Sequence, residues 1–194
     1  MIRTHITALM LIAAVALAGC ETPAEPEQPQ LTFQHLPNIM LRVSDIQIAN
    51  SSTQSVQTPH VAHRFPVPPV QALTRWAEDR LQSAGGSGRA KFSILKADVV
   101  ETKLKTDENL TGLFKKEISE KYEATAEASL EVFDVQGIRR AIVIAGSDWT
   151  RTVREDATLA ERKKIWFEIV EKLMERFNTE MEKSIRTHMS AHLR

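Results

Sequence analysis

The side chains best suited to chemistry in this 194-residue chain are six histidines and one cysteine. His60 and His63 are three apart in His60-Val-Ala-His63, and His188 and His192 are four apart near the C-terminus. Either pair offers a metal two imidazole nitrogens, whereas zinc sites need three or four donors. No Cys, Asp or Glu lies within 51–66, so the first pair reads as solvent-exposed loop histidines. The second pair would share one helix face among Lys183, Arg186 and Arg194. Positive groups at a helix C-terminus complement its dipole, and such a basic end could also meet lipid headgroups. Gly85-Gly86-Ser87-Gly88 follows a helical pattern instead of linking a strand to a helix start, which makes it a turn and not a phosphate loop. Glu123, Glu127 and Glu131 form an acidic ladder that reads as a solvated sheet face. No nucleophile elbow or paired-carboxylate motif is present, so the expectation is a protein without catalytic residues, metal or cofactor.

Cys20 has a different chemistry. Arg3 and His5 precede an almost wholly apolar run, Ile6 to Leu17, and Leu17-Ala-Gly-Cys20 closes it. A basic start, an apolar stretch and small residues form a secretory signal. About a dozen apolar residues are too few for a membrane-crossing helix, which needs roughly 20. A cysteine directly after Leu-Ala-Gly looks like a bacterial lipobox, in which the sulfur is acylated and Cys20 becomes the new N-terminus. A single unpaired thiol is unusual in a secreted protein, whereas a lipid-capped one needs no partner. The expected fold is therefore free of disulfides.

With residues 1–19 removed, 175 residues remain, enough for one domain with its own core. Loss of Arg3 leaves 24 basic against 25 acidic side chains, a balance unlike that of a nucleic-acid binder. Residues 20–30 hold three prolines, three glutamates and no large apolar side chain. They read as an extended tether, at about 3.1 Å per residue able to hold a domain roughly 30 Å from a lipid. The domain, 31–194, should begin near Leu31.

The elements that must position any site follow from apolar periodicity. Ile39 to Ile48 alternates but changes phase at Ser44-Asp45, predicting one strand with a bulge or bend. Asn50 to Pro66 reads as a long surface loop. Val70, Leu73, Trp76, Ala77, Leu81 and Ala84 form a helical stripe ending before Gly85. Ala90 to Leu104 is a second strand with a phase shift between Ile94 and Leu95. Tyr122 to Val132 alternates without exception, with alanines on its apolar side, so large helix side chains should cover it. Val135-Gln-Gly137 makes a three-residue turn, predicting the pairs Leu130 with Ile142 and Ala128 with Ile144. Thr158 and Glu161 form a capping box for a final helix of some 30 residues, whose end should overhang the sheet. The expected class is α+β: a two-layer sandwich of a mostly antiparallel four-stranded sheet with both helices on one face, order β-α-β-β-β-α.

Two surfaces could bind a partner. The predicted register turns Val143 and Trp149, with Ala141 and Ala145, toward the uncovered sheet face, either bare or overlaid by residues 21–37. In the connection 106–120, Leu110, Leu113, Phe114 and Ile118 fall at helical spacing beside Lys115 and Lys116. That piece could dock on a membrane or a partner, or pack over the end of the sheet.

The lipobox Leu17-Ala-Gly-Cys20, the tether and a β-α-β-β-β-α domain ending in a long helix together resemble a group of Gram-negative envelope lipoproteins. These are the lipopolysaccharide-assembly lipoprotein and the auxiliary lipoproteins of intermembrane lipid-transport ABC systems. Two local features differ from that group: Glu21-Thr-Pro-Ala follows the cysteine, and Leu31-Thr-Phe-Gln opens the domain. The resemblance implies a diacylglycerol- and palmitate-bearing Cys20 facing the periplasm, with Glu21 pointing to the outer membrane. It implies a non-enzymatic accessory protein that binds an envelope membrane-protein complex or an amphiphilic envelope component. The alternatives are a cell-wall or lipid hydrolase using the 51–66 loop and a structural lipoprotein that binds peptidoglycan.

Overall fold

A computed structural model describes residues 30–53, 55–104 and 118–194. Cys20, the tether, and Leu110, Leu113 and Phe114 lie outside the described residues. Six strands and two helices follow in the order β1 (Ile39–Leu41), β2 (Asp45–Asn50), α1 (Pro69–Arg80), β3 (Leu81–Ser83), β4 (Arg89–Lys103), β5 (Ile118–Phe133), β6 (Arg139–Arg154) and α2 (Leu159–His188). Short 3-10 turns occupy Ala62–Arg64 and Ser190–His192. The fold is the α+β two-layer sandwich: a four-stranded sheet, β2-β4-β5-β6, with both helices on one face. β2 runs parallel to β4 across the α1 crossover, and the other two pairings are antiparallel.

The alternation in β5 decides which face is covered. Tyr122, Ala124, Ala126, Ala128, Leu130 and Val132 are all buried, and the intervening residues up to Glu127 are half-buried or shaded by neighbours. Because alanine keeps the sheet surface low, large side chains from the helices fill the gap. Trp76 and Phe177 of the helices meet each other and Phe92 of β4 at centroid distances of 5.3 to 6.5 Å, and Leu173, Met174 and Ile169 are fully buried. Each such side chain contributes about 1.5–3 kcal/mol of burial, so this layer dominates the fold's stability. The Trp76 indole N–H donates to Asn178 Oδ1 at 2.9 Å, fixing α1 against α2.

Four expectations are corrected. The phase change at Ser44-Asp45 is not a bend in one strand: it separates β1 from β2, which belong to different sheets. The first helix stops at Arg80, because Leu81–Ser83 pairs in parallel with Ile39–Leu41 as a separate two-stranded sheet. The C-terminal end of α2 does not overhang. Ile185 and Met189 are fully buried, and the tail folds back so that Arg42 N–H donates to the His192 carbonyl at 2.8 Å and Arg194 N–H to Met40 at 3.0 Å. In the first turn of α2, at the other end of the helix, Leu159 is exposed.

The fourth correction concerns register. The turn at Val135–Gly137 forms as its residues predict: Gly137 has φ +79°, and Asp134 N–H donates to the Ile138 carbonyl at 3.0 Å. Two residues further on, Val132 pairs with Ala141 while Phe133 pairs with Arg139, leaving Arg140 as an extra residue. This bulge slides β6 by one position, giving Leu130 opposite Val143 and Ala128 opposite Ala145. A one-residue slip exchanges the two faces of a strand. Val143 and Ala145 are therefore buried against the helices, and Ile142 and Ile144 point the other way.

The capping box at the start of α2 is present in both directions: Glu161 N–H donates to Thr158 Oγ1 at 3.2 Å, and Thr158 N–H to Glu161 Oε2 at 2.8 Å. At the other end of the sheet, Gly88 has φ +82°, and a Cβ there would collide with the Phe133 carbonyl oxygen, so only glycine lets the chain enter β4 beside the hairpin.

Candidate binding surface

The structure separates the residues that the sequence marked. His63 is exposed on the 3-10 turn, whereas His60 is half-buried. His60 forms a bridge with Val100 and sets its Nδ1 2.5 Å from Asp98 Oδ2, a partner 38 residues away that local spacing does not reveal. Val61 N–H donates to the Val99 carbonyl and Glu101 N–H to the Pro59 carbonyl, so the end of the loop closes the β4 edge beyond β2. Val61, Ala62 and Phe65 are buried, which corrects the picture of 50–66 as surface loop throughout. Among the described residues, no group of three or more His, Cys, Asp or Glu side chains could hold a metal.

A polar cluster closes the end of the sheet near His60. Arg162 pairs with Glu120, which also accepts from the Tyr122 hydroxyl at 3.1 Å, and Arg64 Nη1 donates to Glu101 at 3.1 Å while lying 5.7 Å over the Trp166 ring. Burial, together with the charges of Glu101 and Glu120, pushes the Tyr122 hydroxyl up to about 12. These contacts fasten the first turns of α2 and the 62–64 turn to the sheet. Ile118, predicted in a helical connection, instead opens β5.

Residues 30–36 lie on the outer side of the helix layer. Phe33 is buried, and Asp79 on α1 accepts from the Phe33 N–H at 2.8 Å, Thr32 Oγ1 at 3.0 Å and Gln34 Nε2 at 3.4 Å. Partial burial would push the Asp79 carboxyl up, but those donors, with Arg75, hold it below its ordinary value. A groove beside this segment is lined by Leu31 and Leu36 and by Phe167, Met174 and Asn178 of α2. The chain thus enters the domain over the helices, and the described part of 21–37 does not overlie the sheet.

The opposite side is charge-balanced in its middle. Glu131 pairs across the strands with Lys91 and accepts from Arg139 at 2.8 Å; Glu127 faces Lys96; Glu123 meets Lys121 at 2.9 Å. Two of the three glutamates of the acidic ladder, Glu123 and Glu131, are therefore ion-paired, and Glu127 stands opposite a lysine. At the β5–β6 hairpin the character changes. Val135, Ile138, Ile142 and Ile144 are all exposed, and together they are half of the large exposed hydrophobics among the described residues.

β6 is also an edge. Among the described residues nothing pairs with its outer side from Arg139 to Arg154. Val143, expected at the open face, is only 4% exposed on the helix side. Trp149 is partly buried on that same side, with the Arg176 guanidinium 4.5 Å over its ring. A groove of about 600 Å³ runs between Gly146–Trp149 of β6 and Lys172, Arg176 and Thr179 of α2. What sequence reasoning missed here are Ile142, Ile144 and Arg176; the apolar run 141–145 marks the strand but not which side faces out.

Among the described residues no helix is long and apolar enough to cross a membrane. No protein-family model matches the chain, and no curated protein is significantly similar to it.

Proposed function

We propose that this chain is a lipid-anchored accessory protein of the cell envelope, held at Cys20 by a diacylglycerol group and facing the periplasm, on the outer membrane rather than the inner. It acts by binding an envelope membrane-protein partner and not by catalysing a reaction. The lipobox and tether supply the anchor, and the likeness to the lipopolysaccharide-assembly and transport-auxiliary lipoproteins supplies the class. The observation that carries the reading is the two-sidedness of the domain. Residues 30–36 approach over the helices, on the side opposite the sheet face that exposes Ile142 and Ile144. A tether attached on one side and an apolar, unpaired strand on the other suit a module that presents one surface away from its anchor. Large exposed apolar patches mark interaction sites in soluble domains, and Val135, Ile138, Ile142 and Ile144 expose apolar side chains at this hairpin.

The test is crosslinking in cells with a photoreactive residue at position 144 and, as a control, at exposed position 164 on α2. The expected result is a discrete adduct with one envelope protein from 144 but not from 164, lost when Cys20→Ser releases the chain from the membrane. Equal labelling from both positions, or an adduct that survives Cys20→Ser unchanged, refutes the reading.

A further inference from the structure

The free edge of β6 identifies how such a partner is held. We propose that an extended segment of the partner adds to β6 as a fifth strand, with apolar residues at its centre and carboxylates at both ends. The inference rests on the accessory-protein reading above and names the chemistry of its partner.

Three observations converge on this strand. It is 16 residues long and, among the described residues, has no strand on its outer side, so its outward N–H and C=O groups form a template for another chain. Its centre is apolar on both faces, with Ile142 and Ile144 on one and Val143 and Ala145 on the other. The groove between Gly146–Trp149 and the flank of α2 lies where the helix-side residues of an added strand would go. Among the described residues, one carbonyl of this stretch is already engaged from α2: Arg176 Nη1 donates to the Asp148 carbonyl at 3.3 Å.

Charge selects the occupant. β6 carries Arg139 and Arg140 at one end and Arg151 and Arg154 at the other, against Asp148 alone. Their carboxylate partners lie on β5, the hairpin turn, α2 and the following loop, and each arginine side chain remains more than half exposed. A guanidinium has five N–H donors. Arg139 gives one to Glu131, and Arg151 comes no nearer than 3.9 Å to Glu168, so donors remain at both ends. A second copy of this chain fits poorly, since full antiparallel overlap sets Arg139 against Arg154 on both flanks, and like charges directly opposite are unfavourable. A lipid surface is disfavoured because Glu131 and Asp148 flank the isoleucines and would be desolvated with them.

The test uses the purified full-length lipidated chain in detergent and three ten-residue peptides with alternating valine and threonine at the centre. One has two acidic residues at each end, one has lysines there, and the third is the acidic peptide N-methylated at alternate residues. The acidic peptide should bind about tenfold more tightly than the lysine peptide and slow hydrogen exchange of amides 141–147. N-methylation should abolish binding, and Arg139→Gln with Arg151→Gln should bring the two affinities together while the unfolding midpoint stays in place. Equal affinity of the acidic and lysine peptides, binding that survives N-methylation, or absence of protection at 141–147 overturns strand addition. If no peptide binds but the residue-144 crosslink persists, strand addition fails and the accessory function stands. If the acidic peptide protects β6 but cells give no adduct, the accessory reading fails instead.

Discussion

The pair Arg80–Glu182 allows a test of the packing argument with a sign that is hard to obtain by accident. Arg80 closes α1 with 1% of its side chain exposed, and its Nη2 donates to Glu182 Oε2 at 2.8 Å. Its Nε and Nη1 have no protein partner among the described residues. Glu182 is 27% exposed and has a second cation, Arg186, at 2.7 Å. Removing the acid therefore strands a buried guanidinium, whereas removing the base leaves the acid paired at the surface. Breaking a buried pair from one side costs about 3–5 kcal/mol. Water reaches Glu182, so screening reduces that to roughly 2–3 kcal/mol for Glu182→Ala. At about 2–4 °C per kcal/mol for a domain of this size, the midpoint should fall by roughly 4–12 °C. Arg80→Met keeps the stem's volume and deletes the buried charge with its two orphan donors, so it should cost less than about 1.5 kcal/mol. In the Arg80→Met background, Glu182→Ala should cost only about 0.5 kcal/mol, the worth of its helical pair with Arg186. Hydrogen bonds from Arg186 and Arg80 hold the Glu182 carboxyl below its ordinary value of 4.5. Its contribution is thus complete above that value and disappears as pH falls through the lower, folded-state one. Thermal and urea unfolding of the four proteins at pH 7 and in acid reads all of this. Should Arg80→Met destabilise as much as Glu182→Ala, or should the gap between wild type and Glu182→Ala fail to narrow in acid, the reasoning is wrong.

Val143→Lys and Ile144→Lys decide the face assignment of β6. The first places an unpaired charge in the core and should abolish cooperative unfolding or cost more than about 4 kcal/mol, while the second should stay within about 0.5 kcal/mol of wild type. Circular dichroism melts of both separate the observed register from the unbulged one, which predicts the reverse. Asp79→Ala removes the acceptor for Thr32, Phe33 and Gln34. Loss of about 1–2 kcal/mol there should speed exchange of the Phe33 amide by a factor of about 5–30. Because the Asp79 carboxyl is held low, the wild-type amide should show the same loosening only once pH drops below 3.8, its ordinary value. An amide already loosened at pH 6 would show that Asp79 does not hold the segment.

Elements set by local pattern could be read from the chain alone. The β5 alternation, the Thr158–Glu161 box and the stripe from Ile165 to Ile185 each carry their periodicity and their caps within one stretch. The phase shift at Ile94 is likewise visible, and it is the site where the β4–β5 register slips between Ile94 and Lys96. What could not be read was decided by distant partners. Leu81–Ser83 leaves its helix because Ile39–Leu41 is there to receive it. His60 acquires Asp98 only when the 51–61 segment lies along β4. Neither pairing leaves a trace in the residues adjacent to it.

The bulge at Arg140 belongs to the same class, and its consequence reaches function. Residues 141–145 are apolar on both sides of the strand, so period-two reasoning has no preference between Ala141, Val143, Ala145 and Ile142, Ile144. Packing does. The positions facing α2 lie beside Ala126 and Ala128, and Ser147 Oγ there donates to the Leu173 carbonyl at 3.0 Å, a distance that requires the helix to sit close. Forcing isoleucines into that layer would overpack it at about 1–3 kcal/mol. The smaller alternate set therefore goes inward, and the extra residue at 140 is how the strand shifts by one without disturbing the turn. The isoleucines are left in water, forgoing up to about 1.5–3 kcal/mol of burial each. A fold that resolves its interior this way creates an apolar strip beside an open edge, and same-face side chains of a partner strand added there would shield part of that strip from water.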